Sequence, residues 1–290
     1  MADRFTQAEA LRYAAFGEVP GGGNPAGVVL DATRLDDAAM LRIAGEVGFS
    51  ETAFVRPGEG RRFGIRYFSP RAEVAFCGHA TVATAVALAE RQGTGPIAFD
   101  TPVGEVAVET DRRADGRITA TFTSVPTTTR PATTDEVSAT LAALRWTEAD
   151  LDHRYPPHVG NAGNDHLLLA CESRDRLARL AYDYDQLAAV MAERGWTTVH
   201  LFFADSRTTF HARDPFPPGG QIEDAATGAA AAAFAGYLRD LRLIDTPGRV
   251  VIHQGEDMGR PSVLVAEVTA ADRAVRVTGA AVPYEAAPGR

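Results

Sequence analysis

Four side chains in this sequence could carry chemistry. Glu51 stands in Ser50-Glu51-Thr52, Cys77 and His79 flank Gly78 in Phe76-Cys77-Gly78-His79-Ala80-Thr81, and Asp224 lies in Glu223-Asp224-Ala225-Ala226-Thr227-Gly228. A carboxylate can take a proton from carbon and return it elsewhere, and an imidazole near neutrality can relay one. Backbone N–H groups at a helix start can hold the enolate or carboxylate that such a transfer involves. Taken singly, each residue also has a plainer reading: Glu51 as a solvated strand edge, His79 and Asp224 as helix-start groups, Cys77 as buried filler. Cys77 is in addition a candidate thiol acid-base. A racemase with two opposed thiols lacks its second one, because the matching place in the other half is Thr227, and Cys171 follows an apolar strand where cysteine is inert. The seven histidines, His158, His166, His200 and His211 among them, show no metal-ligand spacing with acids or cysteines. No metal is expected.

These groups sit where elements should begin. Ala75 to Leu88 reads as a small-residue helix apolar on nearly all sides, hence buried, and Glu223 to Leu238 repeats the design after Gly228. Two similar helix starts suggest two similar halves facing one cleft. In chain order, a strand over 11–16 leads into the bend GEVPGGGNPAG, whose glycines are followed by no Gly-Lys-Ser/Thr and by a strand, so a nucleotide loop is rejected. An amphipathic helix over 35–47 follows, with Asp36 and Asp37 near its start. Alternating strands over 50–55 and 64–69 deliver the chain to the first buried helix, which Gly93 to Pro96 ends. Strands over 97–100, 105–110 and 118–123 precede the Pro- and Thr-rich stretch 124–134, which is read as a boundary. Helices over 135–144 and 187–194, a turn-rich loop over 155–165, and strands over 166–170, 198–204 and 208–212 build the second half. After the rigid turn 214–221 and the second buried helix, strands over 250–253, 262–269 and 274–279 close it. The domains are therefore 1–124, with a final strand over about 273–290 returning to it, and 125–272.

Composition excludes several classes. Apolar residues at 45% and charged residues at 23% describe ordinary globular material, long enough at 290 residues for two cores. A net charge of -9 argues against a nucleic-acid partner. No run approaches a membrane span and no apolar leader opens the chain, so a cytoplasmic location is expected. Two cysteines make neither a disulfide framework nor a zinc cluster.

Six stretches in order, GNPAGVV at 23–29, SETAFV at 50–55, IRYFSP at 65–70, FCGHATVATA at 76–85, EDAATGAA at 223–230 and QGEDMGRPS at 254–262, resemble the signatures of the PhzF-type phenazine-biosynthesis isomerases. The resemblance implies an α+β diaminopimelate-epimerase-like fold. It would have two pseudo-symmetric domains, each a mostly antiparallel sheet wrapped around a central helix, with the active-site cleft between them. It implies no cofactor, a small carboxylate substrate, and often a homodimer. By the same resemblance Glu51 is the acid-base that moves a proton between carbons, while His79 and Asp224 bind substrate and assist proton relay. Substrate groups would lie against Gly78, Ala80 and Thr81 and against Thr227, Gly228, Ala229 and Ala230. The phenazine enzyme typically carries a serine directly after the TG pair; here Ala229 offers only backbone. The activity implied is cofactor-independent isomerisation. An epimerase or racemase on the same fold, or a catalytically silent carboxylate-binding protein, are the alternatives.

Overall fold

The computed structural model describes residues 10–284, and they fall into two compact units. Unit 1 holds residues 10–15, 25–122 and 280–284 of the described chain. Its elements are β1 (Leu11–Ala15), β2 (Asn24–Val29), α1 (Asp37–Val47), β3 (Glu51–Pro57), β4 (Arg62–Phe68), β5 (Glu73–Val74), α2 (Gly78–Gln92), β6 (Gly95–Thr101), β7 (Gly104–Arg112) and β8 (Ile118–Thr123). β2 runs parallel to β3 and β4 parallel to β6, whereas β3–β4, β4–β5, β6–β7 and β7–β8 are antiparallel. A parallel pair needs a crossover connection, and α1 and α2 are those crossovers. α1 is capped by Asp36, whose carboxylate accepts from the Ala39 N–H, and it ends at Gly48, where a φ of 73° favours glycine.

The two crossovers cover opposite faces. Met40, Ile43 and Ala44 of α1 pack on Val29, Phe54 and Phe68, while α2 is buried along the whole run His79 to Ala89 and packs on β1, β3 and β7. β3 is therefore covered on both sides, and residues 52–55 are all buried rather than alternating. α2 is built of alanine, valine and threonine because a sheet wrapping a helix needs small side chains. Its threonines satisfy themselves on the helix, Thr81 Oγ1 donating to the Cys77 carbonyl and Thr84 Oγ1 to that of Ala80, both at 2.7 Å.

Unit 2 holds residues 16–24 and 123–279. It adds β9 (Thr128–Pro131), α3 (Thr134–Leu144), β10 (His158–Asn161), β11 (Asp165–Ala170), α4 (Arg174–Ala178), α5 (Tyr184–Arg194), β12 (Trp196–Ala204), β13 (Thr209–Pro215), β14 (Glu223–Asp224), α6 (Gly228–Asp240), β15 (Gly248–Gln254), β16 (Ser262–Val268) and β17 (Arg276–Pro283), the last continuing into unit 1 to pair with β1. The plan repeats: β11 is parallel to β12 across α4 and α5, β13 is parallel to β15 across α6, and β14 lies antiparallel on β13 as β5 lies on β4. α6 is buried from Ala230 to Leu238. A Cβ on Gly236 would fall 2.3 Å from Thr127 Oγ1, so only glycine allows that approach. On the other face α3 and α5 close a core with Leu144, Leu187, Met191, Leu167 and Leu201; α3 opens with a capping box between Thr133 and Glu136.

Two stretches read from sequence as boundary and loop contain strands. β9 and β10 pair antiparallel, with Thr128 opposite Asn161 and Pro131 opposite His158. At four residues each they are too short to show a period, and threonine and glycine disguise them. The closing strand likewise runs 276–283 rather than 274–279.

Candidate active site

The start of α2 gathers three titratable groups of unit 1, Glu51, Cys77 and His79. Cys77 is the N-cap in extended conformation, and its side chain does not cap the helix. The first-turn N–H groups at Gly78, His79 and Ala80 point out of that end by the geometry of any α-helix. Glu51, first residue of β3, stands in register with Ala26 and brings its carboxylate there. Its Oε2 lies 3.4 Å from His79 Nε2 and 3.7 Å from Cys77 Sγ. The sulphur in turn is 3.3 Å from His79 Nδ1, and Ser50 Oγ is 3.4 Å from Nε2. The Glu51 side chain is 15% exposed, and His79 and Cys77 are buried. Glu51 is thus no solvated edge, and Cys77, buried as expected, lies beside two titratable groups. Ala80 and Thr81 are fully buried, and the Thr81 hydroxyl is engaged with Cys77 O and with Tyr67 OH at 2.6 Å. Burial pushes the Tyr67 phenol up, so it stays protonated. Ala80 therefore offers a ligand its backbone N–H only, and the Thr81 N–H is already bonded to the Cys77 carbonyl at 3.0 Å.

The start of α6 is organised differently. Asp224, in β14, is buried; its Oδ1 accepts from Asn24 Nδ2 at 2.6 Å and its Oδ2 from Thr227 Oγ1 at 2.7 Å. Gln254 ties the same turn together, its Nε2 donating to the Asp224 carbonyl at 2.9 Å and its Oε1 accepting from the Thr227 N–H at 3.1 Å. Asp224 does not cap α6, whose N-cap is Thr227. Gly228 and Ala230 are buried, and Ala229 is half-buried. Asn24 and Gln254 escaped the sequence reading as site residues, although both lie in the quoted GNPAGVV and QGEDMGRPS motifs. Behind β14, Asp214 stands opposite Asp224 and takes hydrogen bonds from Thr198 Oγ1 at 2.8 Å and His200 Nδ1 at 2.9 Å. Nothing in the local sequence announced that buried network.

Two units of like plan, each with a buried small-residue helix that begins beside a carboxylate, define an α+β fold of the diaminopimelate-epimerase type. A family model described as "Phenazine biosynthesis-like protein" matches residues 13–287. The chain belongs to that PhzC-PhzF family and is an isomerase. It is 31% identical over 288 residues to an uncharacterized isomerase of Bacillus subtilis, covering 96% of this chain and 97% of the relative. It is 32% identical over 259 residues to the trans-2,3-dihydro-3-hydroxyanthranilate isomerase of Pseudomonas fluorescens, covering 87% of each. The crystal structure of the Bacillus anthracis phenazine biosynthesis protein of the PhzF family matches with a TM-score of 0.85 at 27% identity, over 95% of this chain and 96% of that one. No helix among the described residues is long and apolar enough to cross a membrane.

Proposed function

We propose that the protein moves a proton between carbons of a small unsaturated or cyclic carboxylate, without a cofactor, and that Glu51 is the acid-base. The observation that carries this reading is the placement of the Glu51 carboxylate 3.4 Å from His79 Nε2, at the start of a buried helix whose first N–H groups suit an oxyanion. Glu51 abstracts the proton alpha to the conjugated system, the enolate charge rests on the first-turn amides of α2, and Glu51 redelivers the proton with His79 as relay. Asp224 and the amides of Gly228 to Ala230 serve as a substrate-holding element, the Thr227 N–H being taken by Gln254. The relatives named for trans-2,3-dihydro-3-hydroxyanthranilate make that compound the first substrate to try, although Ala229 brings no hydroxyl to it.

The test is proton exchange followed by NMR in deuterated buffer, with that compound and then a panel of unsaturated carboxylates. Exchange by the wild type and none by Glu51→Gln supports the assignment; equal exchange by both overturns it.

A further inference from the structure

Three atoms of metal-ligand type meet at the start of α2: Glu51 Oε2, Cys77 Sγ and His79 Nε2. Their separations are 3.7 Å from sulphur to oxygen, 3.7 Å from sulphur to nitrogen and 3.4 Å from nitrogen to oxygen. Tetrahedral zinc holds sulphur at about 2.3 Å, imidazole nitrogen at about 2.0–2.1 Å and carboxylate oxygen at about 2.0–2.2 Å. On tetrahedral angles those bonds set sulphur about 3.5–3.6 Å from nitrogen or oxygen, and nitrogen about 3.3–3.4 Å from oxygen. The three edges are close to zinc's in length, but Cys77 Sγ also lies 3.3 Å from His79 Nδ1, beside the ring and not around the Nε2 lone pair, so the His79 ring must turn to take the ion. A thiolate and a carboxylate offset both charges of the ion, and a mixed sulphur, nitrogen and oxygen set selects zinc over magnesium or calcium.

We propose that Glu51, Cys77 and His79 hold a single zinc ion, with the fourth corner open, and that zinc is a reversible inhibitor of this protein. The ion takes the lone pairs of the Glu51 carboxylate that would otherwise accept a proton from carbon. As the zinc–sulphur bond forms, the Cys77 thiol gives its proton to solvent; nothing is oxidised or reduced. The inhibition rests on the reading of Glu51 as the acid-base, whereas the binding rests on the three side chains alone.

The binding is tested on the full chain, stripped of metal by chelator and titrated with cobalt(II) and then with zinc. Cobalt bound at one equivalent should show an intense thiolate charge-transfer band that zinc displaces. Cys77→Ser should abolish that band, His79→Asn and Glu51→Gln should each weaken cobalt affinity at least tenfold, and Cys171→Ser should leave band and stoichiometry unchanged. No band with the wild type, a band that survives Cys77→Ser, or an affinity indifferent to Glu51→Gln overturns the site. In the deuterium-exchange assay, saturating zinc should cut turnover at least tenfold, and chelator should restore it. Turnover that persists with zinc bound overturns the inhibition and, with the cobalt results intact, leaves the site in place. If no compound of the panel turns over, the function reading fails, while the Glu51→Gln affinity still decides whether the metal takes that carboxylate.

Discussion

The starts of α2 and α6 are the same piece of architecture used twice, and they differ in what their polar groups face. In each, an arginine on the preceding strand grips a glutamate, Arg66 with Glu73 and Arg213 with Glu223, and the helix opens five residues beyond that glutamate, at Gly78 (78 − 73) and at Gly228 (228 − 223). Past that point the two diverge. At α2 the helix-cap position is a thiol, the second helical residue is an imidazole, and a carboxylate arrives from β3, so three proton-carrying groups face one another. At α6 the same two positions are Thr227 and Ala229, and the nearby carboxylate of Asp224 has each oxygen occupied by a side-chain donor. Groups that face each other can exchange protons, whereas a carboxylate fixed by an amide and a hydroxyl is suited to holding a ligand. On the proposed function, the duplicated frame gives chemistry to one helix start and positioning to the other.

The largest effect expected from this contrast is in activity. Glu51→Gln should lower the exchange rate by about 10²–10⁴-fold or more, the contribution typical of a positioned acid-base. Asp224→Asn should act mainly by raising KM, about tenfold. Steady-state kinetics of the two variants compare them, and equal losses of kcat would erase the proposed division of labour.

The two arginine clamps give the next contrast, in stability. The side chains of Arg213 and Glu223 are 12% and 4% exposed, and burial pushes the Glu223 carboxyl up despite its partner. Arg213→Ala leaves that carboxylate buried without its counter-ion, which should cost about 3–5 kcal/mol. Arg66 and Glu73 are 26% and 37% exposed, so Arg66→Ala should cost about 1 kcal/mol or less. Urea denaturation of both variants measures the difference. A similar cost for both would mean that the unit 2 clamp is as well hydrated as its counterpart.

Much of this frame was legible in the sequence because it is periodic. The small-residue runs after Gly78 and Gly228 predict buried helices wherever they occur, and both are found. The ordered motifs identified the family. What the sequence hid was which residues meet across strands. Asn24 lies 200 positions from Asp224, and nothing in the bend GEVPGGGNPAG hints at that contact. The Cys77-Gly78-His79 spacing showed no metal pattern because its third member, Glu51, comes from a neighbouring strand 26 residues earlier. β9 and β10 stayed hidden because strands of four residues carry too few alternations to read.

A smaller contrast concerns acid sensitivity, which should reside in unit 2. His166 of β11 is fully buried; its Nδ1–H donates to Thr198 Oγ1 at 2.8 Å, and Thr198 donates in turn to Asp214. Its Nε2 has no hydrogen-bond partner. Burial holds the imidazole neutral, lowering its pKa to about 4 from the usual 6.5, with His200 adding to the shift and Asp214 opposing it. Below pH 6.5 the unfolded chain takes up a proton at this histidine that the folded chain refuses until about pH 4. Stability should therefore fall as the pH drops through that window, by up to about 1.4 kcal/mol per pH unit. Glu136 is held down to about 2 by Arg130, and its contribution is lost only below its usual 4.5; the raised Glu223 carboxyl takes up its proton above its usual value and opposes the loss, so the difference between wild type and a His166 variant from pH 6.5 to 4.5 isolates His166. Asparagine can keep the donor to Thr198 without a group that titrates there. Denaturation of the wild type should weaken across that range while His166→Asn holds nearly level, and hydrogen exchange should place the loss in β11 and β12 rather than in β3 and β4. An equal slope in the variant would show that His166 is not the source of the acid sensitivity.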